Sequence, residues 1–268
     1  MSDPTRQRTV VVTGSASGMG AATCRRLEQD GQRVIGVDLR DANVVADLST
    51  AEGRRTAIDG VTALADGSID GIVTWAGVSG LTDRPGRLVA AVNYFGTVEV
   101  LEGLRPLLAA GDRPAAVVVS SNSTSIQPGV PMGLVDALLA GDEEAALAVA
   151  DEGDSFAAYP ASKLAVARWC RRRATHADWA GAGIRLNAVL PGAVETPLLQ
   201  ASRDDVTVGQ FIDALPVPSG GPGTADELAG VVMFMLGPDA RFLVGSLIVA
   251  DGGSDALIRP DSVPVPLP

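Results

Sequence analysis

Cysteine and histidine are scarce in this chain, which has two cysteines and one histidine among its 268 residues. Cys24 and Cys170 are too few for a disulfide framework, and we expect both to be reduced thiols. Because zinc sites are built from cysteine and histidine clusters, we expect no metal site. No apolar run reaches the ~20 residues of a membrane-spanning helix, and residues 1–6 contain no apolar signal region. We therefore expect a globular, cytoplasmic protein without a membrane partner.

Positive charge is also in short supply, with 21 lysines and arginines against 32 acidic residues and a net charge of −11. That balance argues against nucleic acid or an anionic membrane as the main partner. The hydrophobic fraction of 46% is ample for a full core. We expect a single domain over residues 1–268 that acts on a small molecule.

What the chain does have is a regular alternation of β-branched runs and helical patterns. The pattern predicts helices up to Leu27 and at residues 50–65, 87–108, 159–178 and 225–236. It predicts short strands at residues 9–12, 33–38, 43–49, 70–77, 115–119, 184–190 and 246–250. Such alternation specifies the α/β class. We expect a Rossmann-type doubly wound parallel sheet of about seven strands, with helices on both faces.

Two segments interrupt this alternation. Residues 126–157 predict a helical insertion, with helices at 132–140 and 143–150 whose leucines and valines form an apolar face. That face must be buried, either as a substrate cover or as a subunit contact, and we favour the contact. Residues 197–222 are irregular, as is typical of a functional lid, and we assign them as a substrate loop.

A glycine turn follows the first predicted strand, with the spacing Gly14-x-x-x-Gly18-x-Gly20. Glycines let the backbone approach a pyrophosphate, and the next helix offers free N–H groups. The alternative is a tight turn ahead of a helix. Asp38, at the end of the second strand, lies where a carboxylate would bond ribose hydroxyls and repel a 2′-phosphate. Asp38 therefore favours NAD over NADP, whereas Arg40, two residues later, favours NADP. The alternative role for Asp38 is that of a helix-capping aspartate.

Tyr159 and Lys163 are spaced to share one face of a helix, one turn apart. An ammonium at that position favours the phenolate and lowers the tyrosine pKa. A solvated helix face is the alternative. Ser121 follows the fifth strand, where parallel sheets bind ligands, although turn and cap serines are also common there. Asn93 lies inside a predicted helix, where asparagine is neutral to unfavourable, so it suggests a functional role. The alternative is an asparagine whose side chain is exposed to solvent.

Together, Asn93, Ser121, Tyr159 and Lys163 match in order the catalytic tetrad of the short-chain dehydrogenase/reductases, which the chain resembles along nearly its whole length. The resemblance implies that Tyr159 is the general acid/base and that Lys163 lowers its pKa and bonds the nicotinamide ribose. It implies that Ser121 donates to the substrate oxygen and that Asn93 holds a water linking Lys163 to solvent. It also implies an NAD site, with NADP disfavoured, formed by Gly14, Ser17, Gly18, Met19, Asp38, Leu39, Asp47, Leu48, Ala76, Gly77, Tyr159, Lys163, Pro191, Val194 and Thr196.

Within that family the chain is similar to the bacterial NAD-dependent 3α-hydroxysteroid dehydrogenase/carbonyl reductases, which share its long stretch between Ser121 and Tyr159. This resemblance implies a homodimer or homotetramer in which the insertion makes a subunit contact. Two features depart from it. Trp75 stands where the family usually has asparagine, and residues 122–131, which would border the substrate, differ from those of the steroid enzymes.

The expected function is an NAD(H)-dependent oxidoreductase that interconverts a secondary alcohol and a ketone, of the hydroxysteroid dehydrogenase/carbonyl reductase type. A dehydrogenase of alicyclic or terpenoid alcohols has the same chemistry and a different pocket. A non-catalytic nucleotide-binding scaffold is the alternative of another class, and the intact tetrad argues against it.

Overall fold

The computed structural model of the protein describes residues 7–264. Its strands are β1 (Thr9–Thr13), β2 (Arg33–Asp38), β3 (Val44–Val45), β4 (Gly71–Thr74), β5 (Ala115–Val119), β6 (Arg185–Pro191), β7 (Val194–Glu195), β8 (Gly223–Thr224) and β9 (Leu247–Ala250). Its helices are α1 (Gly18–Gln29), α2 (Ala51–Leu64), α3 (Gly86–Ala90), α4 (Gly96–Ala109), α5 (Ser123–Ile126), α6 (Met132–Ala140), α7 (Glu143–Asp151), α8 (Ser155–Arg173), α9 (Pro197–Asp204), α10 (Gly209–Ala214), α11 (Ala225–Leu236) and α12 (Ser254–Ile258).

One sheet contains seven of these strands in the order β3-β2-β1-β4-β5-β6-β9, and every neighbouring pair is parallel. Strands β1, β4 and β5 are buried at every residue, as expected for strands covered on both faces. Helices α1 and α11 pack on one face, and α2, α4 and α8 on the other. The predicted doubly wound sheet is confirmed.

The chain reverses its direction across the sheet at β1, which lies between β2 and β4. Thr13 and Thr74 are register partners at the carboxyl ends of β1 and β4. Open α/β sheets bind their ligands in the crevice at such a switch point. The carboxyl ends of β5 and β6 lie next along the same edge, so the loops after four strands meet there.

The long helix α8 begins earlier than the sequence predicts. Asp154 caps it, since its carboxylate Oδ1 accepts a hydrogen bond of 2.7 Å from the Ala157 N–H. The prediction of a helix over residues 159–178 is therefore wrong at both ends, because α8 spans Ser155–Arg173. Tyr159 lies inside the helix rather than at its start, and Phe156 belongs to the same helix.

The prediction of one helix over residues 87–108 is wrong, because the helix is interrupted. Helices α3 and α4 are joined by a π-helical turn, Ala91–Phe95, which contains Asn93. Such wider turns occur as single units within α-helices, frequently at functional sites. Asn93 is completely buried, so the alternative of an exposed asparagine is wrong.

The two helices predicted within residues 126–157 are present as α6 and α7. Their apolar face packs on the same chain, because Leu134, Val135 and Leu138 are buried in the core cluster that includes α8. Helix α6 packs against α8, and α7 packs against α3. Neither a substrate cover nor a subunit contact is needed to bury this face, and a subunit contact made by residues 126–157 stays a prediction.

The segment 197–222 contains two short helices, α9 and α10. The strand pair β7–β8, which the sequence pattern did not predict, brings the two ends of this segment together.

Helix α1 packs against α11, and Arg26 forms a bidentate ion pair with Asp226. Among the helices of residues 7–264, none is both long and apolar enough for a membrane crossing.

Candidate active site

Tyr159, Lys163 and Ser121 meet in one small cavity at the carboxyl edge of the sheet, hereafter the catalytic cavity. Tyr159 and Lys163 come from α8, and Ser121 follows β5. The Lys163 ammonium donates a hydrogen bond of 3.1 Å to the Val119 carbonyl. The neighbouring hydroxyl of Ser120 donates to the Lys163 carbonyl at 2.9 Å. These two buried bonds fasten α8 to the end of β5, so the three side chains share one rigid frame.

Asn93 supports this frame from behind and does not line the catalytic cavity. Its amide oxygen accepts from the Val78 N–H at 2.9 Å. Its two N–H groups are used by the Val78 carbonyl at 3.0 Å and the Ser162 hydroxyl at 3.2 Å. The Asn93 oxygen keeps one lone pair. The water that Asn93 is predicted to hold stays a prediction.

Burial controls the charge of both titrating groups. It raises the pKa of Tyr159, and a hydrogen bond with Ser121 partly opposes that rise. Burial lowers the pKa of Lys163 to about 8. We expected Lys163 to lower the Tyr159 pKa, and the net direction is the opposite, because burial outweighs the other influences on the phenol. Tyr159 is therefore protonated at neutral pH and available as a proton donor.

A long cleft adjoins the catalytic cavity and is hereafter the cofactor cleft. The predicted cofactor residues divide between the two. Those that line the cofactor cleft are Gly14, Ser17, Gly18, Met19, Asp38, Leu39, Asp47, Leu48, Ala76, Gly77 and Thr196. Those that line the catalytic cavity and not the cofactor cleft are Tyr159, Lys163, Pro191 and Val194. The structure thus brings every predicted cofactor residue to two adjoining cavities.

The glycine loop fits a pyrophosphate. Gly14 has φ +69°, and a Cβ there would lie 2.7 Å from the Ala76 nitrogen, so only glycine lets this loop pass so close to β4. Within the described residues, the Ser17 side chain makes no capping hydrogen bond to α1. The first residues of this 12-residue helix, Gly18, Met19 and Gly20, line the cleft, and the absence of the Ser17 cap suits the binding of an anion there.

The end of the cofactor cleft that includes Asp38 and Asp47 is where the sequence predicts the adenosine ribose, and it is hereafter the adenosine end. Asp38 accepts hydrogen bonds from the N–H groups of Ala16 at 2.9 Å and Leu39 at 2.7 Å, which hold its carboxylate at the rim. That negative charge suits ribose hydroxyls and disfavours a 2′-phosphate. Trp75 lines both the cofactor cleft and the catalytic cavity, and its indole N–H donates to the Thr23 hydroxyl at 2.9 Å. Trp75 thereby joins the end of β4 to α1.

An apolar pocket of about 340 Å³ opens on the other side of the catalytic cavity. Ser121 and Tyr159 line both spaces, so their hydroxyls stand between the pocket and the cofactor cleft. Phe156 and Phe211 contribute rings whose centroids are 5.4 Å apart. Within the described part of the chain, the residues lining this pocket include none that is charged: Ser79, Gly80, Ser121, Asn122, Ser123, Ile126, Gln127, Pro128, Phe156, Tyr159, Gly192, Ala193, Leu198, Leu199, Ser202, Val208, Phe211, Ile212 and Leu215.

Several of these residues escaped the sequence analysis. Phe156 was missed because the helix was started at Tyr159, although Asp154 followed by Ser155 is a recognisable helix start. Ser162 was missed although it lies between the two predicted catalytic residues and links Asn93 to the Tyr159 carbonyl, to which it donates at 2.8 Å. Phe211 has no sequence signal that would pair it with Phe156.

Comparison with known proteins agrees with this geometry. A family model described as "NAD dependent epimerase/dehydratase family" matches residues 10–197, and one described as "Enoyl-(Acyl carrier protein) reductase" matches residues 145–255. The chain is 43% identical to a 3-alpha-hydroxysteroid dehydrogenase/carbonyl reductase of Comamonas testosteroni, over 94% of this chain and 98% of the relative. It is 30% identical to a short-chain dehydrogenase/reductase of Pyricularia oryzae, over 90% of this chain and 89% of the relative.

A solved structure is similar throughout. It is the 3-alpha-hydroxysteroid dehydrogenase of Pseudomonas sp. B-0831 in complex with NADH, with a TM-score of 0.90 and 46% identity, covering 94% of this chain and 99% of that one. The sheet order, the glycine loop and the meeting of Ser121, Tyr159 and Lys163 in one cavity agree with this similarity. The chain belongs to the short-chain dehydrogenase/reductase family.

Proposed function

We propose that this protein is an NAD(H)-dependent oxidoreductase that interconverts a secondary alcohol and a ketone. The observation that carries the proposal is that Ser121 and Tyr159 line both the catalytic cavity, which adjoins the cofactor cleft, and the apolar pocket. A carbonyl held in the pocket reaches both hydroxyls while its carbon faces the cleft. NAD(H) held in the cofactor cleft would provide the hydride chemistry at that carbon, in either direction.

The proton follows a separate route through the protein. Tyr159 donates its proton to the carbonyl oxygen during reduction and accepts one from the alcohol during oxidation. Ser121 donates a hydrogen bond to the same oxygen, where charge develops in the transition state. Lys163 favours the phenolate form as Tyr159 loses its proton, and it bonds the nicotinamide ribose. Asn93 holds the loop at Val78 and, through Ser162, the first turns of α8.

The substrate we propose is an uncharged, largely alicyclic molecule. Within the described residues, the lining of the apolar pocket has no cationic partner for a carboxylate, sulfonate or phosphate, and burial of such a charge without one is costly. The similarity to hydroxysteroid dehydrogenases favours a steroid. Monocyclic and terpenoid alcohols fit the same apolar lining and form the second candidate class. Residues 197–222 would act as the substrate loop, because α9 and α10 supply much of the lining.

The test is a panel of steroid and monocyclic secondary alcohols, each assayed with NAD and NADP by the absorbance of the reduced cofactor. We expect turnover with NAD and a loss of about a thousandfold or more in kcat for Tyr159→Phe, with NADH binding retained. Tyr94→Phe is the matched control, since Tyr94 is the only other tyrosine of the chain and lies outside the site. Retained turnover in Tyr159→Phe sinks the assignment, and a chain that oxidises no alcohol supports the scaffold alternative.

We also propose that the protein acts in the cytoplasm as a homodimer or homotetramer. Its two cysteines are both free, as suits a reducing compartment. Strand β9 is an edge of the sheet and exposes Leu247 and Val249, close in the chain to the fully exposed Phe242. Exposed apolar edge strands are surfaces that proteins cover. Light scattering tests this proposal: a monomer mass contradicts it, and a dimer or tetramer that dissociates in Leu247→Glu supports it.

A further inference from the structure

Arg54 is completely buried, although it lies on the first turns of the surface helix α2. Its guanidinium donates to the Glu99 carboxylate of α4 at 2.6 Å and to the Glu143 carboxylate of α7 at 2.5 Å. A third hydrogen bond, of 3.3 Å, goes to the main-chain carbonyl of Leu48. The guanidinium also lies 6.0 Å from the centre of the Phe95 ring.

The third bond leads to the cofactor cleft. Asp47 and Leu48 line the cleft, and the cleft does not include Arg54 itself. The loop they form is pressed against the start of α2, because a Cβ on Gly53 would lie 1.9 Å from the Asp47 carbonyl oxygen. Arg54 therefore fixes the adenosine end of the cleft from below, by holding the Leu48 carbonyl.

The two carboxylates decide whether Arg54 can stay in this position. The guanidinium is buried and each carboxylate accepts from a different one of its nitrogens, so the loss of either carboxylate leaves a buried N–H group without its charged acceptor, which is unfavourable. One of the two carboxylates, Glu143, is the first residue of α7 and lies within residues 126–157. Through Arg54, the position of that segment and the position of the Asp47–Leu48 loop depend on each other.

We propose that Arg54 is a positioning residue for the adenosine end of the cofactor cleft. Through Glu143, which binds Arg54, residues 126–157 help to position the Asp47–Leu48 loop of the cofactor site. The proposal rests on the proposed use of NAD. It gives the two helices α6 and α7 a role other than covering substrate or joining subunits. The link is specific, because it runs through one guanidinium and one main-chain carbonyl.

The test compares Glu143→Gln with Glu144→Gln. Both changes remove one negative charge from the first turn of α7, and Glu144 is exposed. The dissociation constants of AMP and NADH are measured by titration calorimetry, and kcat and KM with the best alcohol of the panel. We expect Glu143→Gln to raise both dissociation constants and the KM for NAD about fivefold, as for a weakened charge-assisted bond. The kcat and the KM for the alcohol should stay unchanged, and Glu144→Gln should match the wild type.

Glu99→Gln makes the same test from the other carboxylate, and it should shift AMP binding in the same direction. Equal AMP dissociation constants in wild type, Glu143→Gln and Glu99→Gln would overturn this inference and leave the proposed function standing. A fall in kcat without a change in AMP binding would also overturn it. A wild-type chain that binds neither AMP nor NADH would overturn the proposed function and this inference together.

Discussion

The side-chain amide of Gln127 donates a hydrogen bond of 3.3 Å to the main-chain carbonyl oxygen of Phe156. In an unbroken helix that carbonyl would accept from the N–H of residue 160, four positions later. Residue 160 is a proline, which has no N–H to give. Gln127 therefore supplies the donor that Pro160 lacks, immediately before the turn of α8 that carries Tyr159.

We predict that Gln127→Met, which keeps the length and removes the donor, lowers the free energy of unfolding by about 1 kcal/mol. Urea denaturation measures the change. Gln210→Met is the control, because its amide donates to an exposed carbonyl, that of Thr207, which water can serve instead. In a Pro160→Ala background the helical N–H is restored, so Gln127→Met should there cost clearly less. An equal cost in both backgrounds contradicts this account.

The pKa of Lys163 predicts a rise of stability in alkali. Burial lowers that pKa to about 8 from 10.5, so between these values the unfolded chain binds a proton that the folded chain has released. The contribution of Lys163 to the free energy of unfolding is therefore constant below this window. It rises with pH across the window, by about 3 kcal/mol over the full interval. Lys163→Met removes that slope.

Urea denaturation of wild type and Lys163→Met at several pH values within this window measures the effect. Taking the difference between the two proteins removes the contribution of other buried groups, such as the Cys170 thiol, whose pKa burial raises to about 12. Parallel pH curves for the two proteins would show that the ammonium is not desolvated in the folded state.

The ring pair in the apolar pocket predicts a selective effect on the substrate. Phe211 is about half exposed, at 53%, and its ring packs against Phe156. If the ring's apolar contact with the substrate contributes about 1 kcal/mol, Phe211→Ala should raise the KM for the alcohol about fivefold. The kcat and the KM for NAD should stay near their wild-type values. Val206→Ala, at a 96% exposed position of the same segment, is the control, and an equal effect there argues against the ring pair.

Asp205 connects the substrate loop to the loop after β4. Its carboxylate accepts from the N–H and the hydroxyl of Thr82, both at 2.7 Å, and from the N–H of Val208 at 2.9 Å. These bonds, the Thr82 N–H foremost, hold the pKa of Asp205 well below its usual range. A carboxyl with a lowered folded pKa contributes stability above its unfolded pKa of ~3.9 and loses it as the pH falls through the folded value.

Two results follow from that connection. In wild type, protease cleavage within residues 197–222 should be no faster at about pH 4 than at neutral pH, after correction for the protease, because the carboxylate is still ionised. Asp205→Asn should speed cleavage there at neutral pH. Asp213→Asn, which changes an exposed carboxylate 3.7 Å from Arg203, should not. Unchanged cleavage in Asp205→Asn means that the connection does not restrain the segment.

The sheet and most of the site could be predicted from the sequence, because both depend on spacing along the chain. Gly14 and Gly18 mark the turn after β1, and Tyr159 and Lys163 are one helical turn apart whatever the rest of the chain does. Parallel strands separated by helices specify the sheet, and the carboxyl ends of its strands collect Ser121 and the glycine loop at one edge.

What could not be predicted depends on contacts between distant segments. The π-helical turn at Asn93 adds a residue to one turn without changing the apolar pattern around it. Arg54 looks like an exposed arginine on a helix, and only the arrival of Glu99 and Glu143 from other helices buries it. The direction of the Tyr159 pKa follows from burial, which a one-turn spacing does not report.

The pairing of α1 with α11 has a consequence for the newly made chain. Arg26 and Asp226, which join these helices, are 200 residues apart. At translation rates of about 5–20 residues per second, the ribosome needs about 10 to 40 s to make that interval. During this time α1 has no α11 to cover it, and its Leu27 lacks the core residues that α11 contributes to the same cluster. The glycine loop is among the first parts of the site to be synthesised, yet the helix behind it is among the last to be packed.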